Sequence, residues 1–353
     1  MSDLHKFGIA DEVREQALRV LTINDLEDAK NVALVLLKPD AFATGKVTKI
    51  VGYLEKYGIQ TIYYSFLQSP ELRQFEELYK FNISESNEKN QLGSWWINCR
   101  TYLQGPSLLL LVRPNESTTD VYALLNKMKG ASAPLRGKPG SLRYDLNGST
   151  RSINLIHISD DVLSSIREFC IFRPLEAFKN AIRINLPNVD SLDVNGEIVA
   201  VAQSCSGELY DLDFFRCHWR VLLRAVFLFS DTMKVPAFLK SNEHISHDLN
   251  DISDLFERGS EYAKNLSSVD LNGLGIDRQH NILLEKFLNL RIVEESHVSE
   301  LIGQMRFHKC KVGDWEEIVL VSGTHYRDDL DLLFSGTGRI AARSKCSEGG
   351  HPD

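Results

Sequence analysis

The chain lacks the marks of a secreted, membrane-spanning or disulfide-framed protein. Its six cysteines (Cys99, Cys170, Cys205, Cys217, Cys310 and Cys346) are scattered, with no C-x-x-C pair among its 353 residues. That usage favours reduced thiols in a cytoplasm over a disulfide or zinc framework. Long apolar runs are missing too. The longest central one, RVLLRAVFLF at 220–229, is broken by Arg224, so neither a transmembrane helix nor a membrane partner is expected. The opening residues, MSDLHKFGIADEVREQ, are polar and contain no apolar leader segment. No internal repeat is visible.

Basic charge is scarce in one half only. The net charge is −8; residues 1–173 carry 21 basic and 20 acidic side chains, and residues 174–353 carry 19 and 28. An acidic second half is poorly suited to gripping a nucleic-acid backbone, so no nucleic-acid partner is expected. Any anion site in the neutral first half must be a local cluster of cations.

What is present reads as an ordinary globular chain, with 43% hydrophobic and 25% charged residues. After a helix-like segment around 9–21, NVALVLL (31–37) is a continuous apolar run of strand length. Residues 44–58 carry Val47, Ile50, Val51 and Leu54 at helical spacing and stop at Gly58. IQTIYYSFL (59–67) is β-branched and aromatic, hence strand. Helices follow at 69–81 and 94–103, a buried strand at 107–112, and a capped helix at 117–130. A loop rich in Gly, Pro and basic residues spans 130–145, before a strand at 153–158 and a helix at 159–172. This order is the split βαβ, ferredoxin-like pattern of an α+β fold, an antiparallel sheet with helices packed on one face. The second half reads as helices at 209–229, 246–266, 278–290 and 295–305, with a strand at 316–323. The expected layout is an N-terminal extension over 1–30, the sheet domain over 31–173, a mainly helical domain over 174–343 and a disordered tail over 344–353.

The stretch NLIHISDD (154–161) ends an apolar strand on His157 and starts a helix at once. Taken alone, such a histidine reads as a core residue with one hydrogen bond. Its neighbours change that. LVLLKPDAF (34–42), QGP (104–106), GKPGSLRYD (137–145) and NLIHISDD stand in the order and near the spacings found in nucleoside diphosphate kinases, and residues 31–173 resemble that family. There the pattern is a strand ending Lys-Pro-Asp, a loop Pro-Gly-Thr-Ile-Arg-Gly-Asp and a strand ending Asn-x-x-His-x-Ser-Asp. No GxxxxGK[ST] loop is present, which argues against the commoner kinase folds.

The resemblance implies that His157 takes the γ-phosphoryl group of a nucleoside triphosphate and passes it to a nucleoside diphosphate. It implies phosphate contacts for Lys38, Ser132 and Arg143, and ribose and phosphate contacts for Asn154. Tyr79 matches the tyrosine beside the histidine, and Ser159 the serine after it, where a helix cap is an equal alternative. Glu168 matches the glutamate on the histidine's other ring nitrogen, and Trp95 or Trp96 is nearest to the place of the base-stacking aromatic. Mg²⁺ arriving with the nucleotide and a homo-oligomer are implied as well; no protein-held metal is expected.

Departures accompany the match. Asn126 stands where the family has a second phosphate-contacting arginine, with Arg136 and Lys138 as candidate replacements. Ile158 and Tyr144 stand at usual glycine positions. These departures leave room for a nucleotide-binding or bifunctional protein of weak turnover. In the second half, HISHD (244–248) reads as a polar helix start rather than a metal site, and Arg216, Arg220 and Arg224 lie on one helical face, able to meet a phosphate but read first as partners for the acidic surface.

Overall fold

A computed structural model describes residues 21–80, 93–116, 119–183, 194–204 and 209–334. The expected tail and, but for Leu21, the 9–21 helix lie outside these residues. The described chain forms two compact units that interleave in sequence. The first holds the described residues up to Gly130, Lys138–Leu146 and Leu155–Tyr210; the second holds Ala131–Gly137, Asn147–Asn154 and the described residues from Asp211 onward. Among the described residues no helix is long and apolar enough to cross a membrane.

The first unit is built on four strands: β1 (Ala33–Leu37), β2 (Ile59–Leu67), β3 (Ser107–Pro114) and β4 (Ile156–Ile158), in the order β2-β3-β1-β4. Every neighbouring pair is antiparallel. This is the ferredoxin-like arrangement expected. The expectation of helices on a single face is corrected: both faces are covered. All five residues of β1 are buried, because alternate side chains enter two separate cores. Val35 and Leu37 join Ile50, Leu54, Leu125 and Ile198 on one face. Leu34 and Leu36 join Phe75, Tyr102, Phe169 and Phe178 on the other. An unbroken apolar strand is the signature of a sheet covered on both sides, where an alternating one marks a wet face. Each buried Leu contributes about 1.5–3 kcal/mol, so β1 is the keel of this unit.

The unit continues past residue 174. The helix Leu175–Arg183 inserts Phe178, Ala181 and Ile182 into the second core, and the helix Val194–Ser204 inserts Ile198 and Ala202 into the first.

The second unit is helical among its described residues. Its long helix Phe214–Phe229 buries His218, Trp219 and Leu222. Its arginine stripe pairs with acids as expected: Arg220 reaches Asp211 at 2.9 Å and Arg224 reaches Glu316 at 2.7 Å. The expected strand at 316–323 is corrected to a helix, Asp314–His325. Glu316 accepts the Gly313 amide at 3.1 Å and ties the third helical residue back to the helix start. Gly323 lies so close to Phe214 that a Cβ there would fall 2.2 Å from the ring. A short apolar run cannot be assigned by periodicity alone. Here that tie and the glycine contact with the neighbouring helix decide it.

Candidate active site

His157 occupies the middle of β4, directly across from Leu36 of β1. Facing residues on paired strands project to the same side, so its ring is on the sheet face that carries Leu36, Phe75 and Tyr102. The helix Val162–Phe172 packs on that face through Ile166, Phe169 and Phe172. Asp161 caps this helix by accepting the amides of Leu163 and Ser164, each at 2.9 Å. The expected alternative for Ser159 as the cap is thereby excluded. Its hydroxyl is instead free to donate to Glu168 Oε2 at 2.5 Å.

Glu168, on the same helix, meets His157 Nε2 at 2.8 Å. Arg167 Nη2 lies 3.4 Å from the other carboxylate oxygen and also donates to the Leu78 carbonyl, while Nη1 donates to that of Glu77. The glutamate is only 6% exposed. Burial alone would push its carboxyl up; the His157 ring, the hydrogen bonds from His157 and Ser159 and the Arg167 charge outweigh burial and hold it below the ordinary carboxylate range. A carboxylate fixed on Nε2 selects the tautomer that carries its proton there, which leaves Nδ1 with its lone pair. The Tyr79 ring stands edge-on to the imidazole, centroids 6.3 Å apart.

Two buried cations complete the first unit's cluster. Lys38 directly follows β1, 2% exposed, with its ammonium 5.5 Å from the centre of the Tyr102 ring. Burial lowers it to about 8, Asp40 opposing and Arg143 adding to the fall. Arg143 donates to the Ile156 carbonyl at 2.8 Å and lies 3.4 Å from the Gly130 carbonyl. Burial likewise brings it down to about 10. Gly130 ends the helix Val121–Lys129 at φ +75, and a Cβ there would fall 2.5 Å from Ser141 Oγ, so the turn that presents this carbonyl needs glycine. Leu155, between the site strand and its loop, holds φ +78. Its amide donates to Asp40 Oδ2 at 2.7 Å and its carbonyl accepts from the Lys38 amide at 2.9 Å. Strain in a non-glycine residue persists where the surroundings over-determine it, and the Lys-Pro-Asp segment does so here.

Of the remaining expected residues, Trp95 is half-buried and packs on the core that holds Tyr79 and Tyr102. Ser132 and Asn154 belong to the second unit. Asn154 is 5% exposed and donates to the Ser132 carbonyl at 3.2 Å and the Arg151 carbonyl at 2.6 Å. Asn126 is exposed. Arg136, one of the candidate replacement cations, is committed elsewhere: it donates to Asp329 Oδ1 at 2.7 Å and to the Asp328 carbonyl at 3.1 Å. Three residues of the first unit's cluster escaped the sequence reading. Arg167 and Tyr102 carry no motif. Lys129 stands in NKMKG one helical turn after Asn126, and only that spacing pointed to it. Its charge is disfavoured by burial and by Arg143, and favoured by Asp160 and Glu168.

A histidine keyed to a buried carboxylate on a ferredoxin-like sheet, with buried cations in the same unit, is an arrangement that suits a phosphoryl-transferring kinase. Comparison with known proteins places it within that class. The family model for nucleoside diphosphate kinase matches residues 31–177. A nucleoside diphosphate kinase of Methanoregula boonei is 32% identical over 145 residues, 41% of this chain and 88% of that protein. One of Acanthamoeba polyphaga mimivirus is 30% identical over 141 residues, 40% of this chain and 91% of that protein. The crystal structure of an Encephalitozoon cuniculi nucleoside diphosphate kinase aligns with 40% of this chain and 88% of its own, at 20% identity and a TM-score of 0.35. The chain belongs to the nucleoside diphosphate kinase family.

Proposed function

We propose that the protein transfers the γ-phosphoryl group of a nucleoside triphosphate to a nucleoside diphosphate through a phosphohistidine at His157. The observation that carries this reading is the His157–Glu168 hydrogen bond, with Nε2 engaged at 2.8 Å. In the first half-reaction Nδ1 attacks the γ-phosphorus, the bond to the β–γ bridging oxygen breaks, and the diphosphate departs with that electron pair. In the second, the β-phosphate oxygen of the acceptor attacks the phosphohistidine, and Nδ1 recovers its lone pair. Glu168 steadies the positive charge that the ring carries in the intermediate. Lys38 and Arg143 offset charge on the phosphates, an electrostatic role suited to buried cations. Ser132 and Asn154 contact phosphate and ribose, and Tyr79 and Trp95 complete the nucleotide contacts.

Among the described residues no three His, Cys, Asp or Glu side chains converge as a cation cage. Mg²⁺ bound to the incoming nucleotide would neutralise triphosphate charge. The domain works as a homo-oligomer in the cytoplasm. Low turnover is the second reading, favoured by exposed Asn126 and by Arg136 being tied to Asp329.

The test is incubation with γ-labelled ATP. An acid-labile, base-stable label that His157→Ala abolishes supports the mechanism; a label that survives the substitution refutes it.

A further inference from the structure

Two short segments from within the family-matched region, 131–137 and 147–154, fold as part of the helical unit. They are the segments that carry Ser132 and Asn154. What holds them is a set of polar contacts to the end of the helix Asp314–His325 and to the short helix Arg327–Asp331. Asp329 is the centre. Its carboxylate receives both Arg151 Nε at 2.6 Å and Arg151 Nη2 at 2.8 Å, a bidentate pair, and Arg136 Nε at 2.7 Å. The Arg151 guanidinium also lies over the Tyr326 ring, 4.7 Å from its centre. Beside it, the Thr150 and Ser322 hydroxyls share a buried hydrogen bond of 2.6 Å. Asp329 is 7% exposed, so this carboxylate is well withdrawn from water.

One carboxylate thus bridges one arginine from each segment. The Arg151 that it grips offers its own carbonyl to Asn154 Nδ2, and the same amide nitrogen reaches the Ser132 carbonyl across the gap between the segments. The chain of contacts runs from Asp329 through Arg151 to Asn154 and on to Ser132. A bidentate Arg–carboxylate pair fixes orientation as well as distance, and a group that orients a binding residue tunes what that residue does.

We propose that Asp329 is a positioning residue for the nucleotide: gripping Arg136 and Arg151 at once, it sets the placement of Ser132 and Asn154, so that the helical region contributes to nucleotide binding. This inference rests on the phosphotransferase reading. It assigns a role to residues beyond the family-matched stretch without making any of them touch the reacting atoms.

The experiment is steady-state kinetics with ATP on the full-length chain, together with ATP affinity by calorimetry. Asp329→Asn keeps the size and removes the charge. It is expected to raise the ATP KM about five- to tenfold while changing kcat less than about twofold, since a positioning loss falls on binding. Asp329→Glu restores part of the affinity. The effect disappears when Asn154 is already alanine, because both changes act on one contact chain, and stays additive with Lys38→Ala. A purely structural role would lower thermal stability with the KM unmoved, or act additively with Asn154→Ala; either result overturns the proposal. Arg136→Gln, a change at a more exposed arm of the cluster, guards against misfolding and is expected to give a smaller rise of the same kind. If the unaltered protein binds no ATP at all, the functional reading falls and takes this inference with it. Equal ATP affinity for the unaltered and Asp329→Asn proteins overturns the inference alone.

Discussion

The sheet unit and the helical unit each hold a histidine by hydrogen bonds, and the two are treated in opposite ways. His218, on the helix Phe214–Phe229, is fully buried, its ring stacked on Phe287 at 4.1 Å. Both ring nitrogens are engaged, Nδ1 with the Tyr262 hydroxyl at 2.6 Å and Nε2 with the Phe287 carbonyl at 3.0 Å. No carboxylate adjoins it in these contacts, and burial drives it down to about 3. It is a neutral packing element at any physiological pH. His157 keeps 23% of its side chain exposed and has Glu168 on Nε2. The lesson is that burial without a charged partner holds a histidine neutral, whereas a buried carboxylate on one nitrogen fixes the ring and supports the nucleophilic role proposed for His157.

The largest effect should come from exchanging these roles. His157→Ala is expected to abolish phosphoenzyme formation and to lower kcat/KM at least about a thousandfold, as loss of a nucleophile does. His218→Ala should leave the label in place and instead cost about 2–4 kcal/mol of stability, read from a denaturant midpoint, through a cavity and an orphaned Tyr262 hydroxyl. Loss of labelling in folded His218→Ala protein would break the contrast.

Next in size is Glu168. Glu168→Gln keeps the shape but removes the charge that steadies the ring, and kcat should fall about a hundredfold. Ser159→Ala removes one donor to that carboxylate and should cost about three- to tenfold. Pre-steady-state labelling separates the two. A Ser159→Ala protein slower than Glu168→Gln would mean that the serine acts on substrate rather than through the glutamate.

A third test uses pH, because Lys38 is the sheet unit's buried cation with a value near neutrality. Its folded value of about 8 lies below the ordinary 10.5. The folded chain therefore holds fewer protons than the unfolded one between those two values, and the stability contribution of Lys38 rises as pH climbs through 8 towards 10.5. Its charge on the phosphates is lost over the same rise. ATP affinity should drop above about pH 8 while the melting temperature gains from this group, and Lys38→Met should flatten both trends. Affinity and stability moving together in the unaltered protein would refute the assignment.

Much of the sheet unit was legible in the sequence. Strand-ending Lys38 and the Asn154-to-Asp161 motif are local patterns whose strand and helix formed near the expected places, though shortened to Ile156–Ile158 and Val162–Phe172, and Arg143 lies on a short helix, Leu142–Asp145, instead of a loop. What stayed hidden depends on partners distant in the chain. Ile198 and Ala202 add a distant helix to one covered face of β1, and the Asp329 cluster joins residues 178 apart. Nothing in RDDL marks Asp329 as a clamp until Arg136 and Arg151 are beside it. The apolar run of the helix Asp314–His325 suits a strand equally well, and the Glu316–Gly313 contact and Phe214 packed on Gly323 settle it.

The smallest effect expected concerns the cation missing at Asn126. Arg136 does not replace it, being held by Asp329. Lys129 is the better candidate: it lies on the last turn of the helix Val121–Lys129, partly withdrawn from water, and its charge responds to Arg143, Asp160 and Glu168. Lys129→Met, which removes the charge with little change in length, should lower kcat/KM for ATP about tenfold, the scale of one charge-assisted contact. Asn126→Arg alone should then gain less than about threefold, because Lys129 already supplies the charge, and should recover most of the loss when added to Lys129→Met. The comparison is made across ATP, GTP, CTP and UTP, so that a phosphate effect, equal for all four, is separated from a base effect. A tenfold gain from Asn126→Arg in the unaltered background, with Lys129→Met silent, would show that the position is an uncompensated loss and that this chain is a slow member of its family.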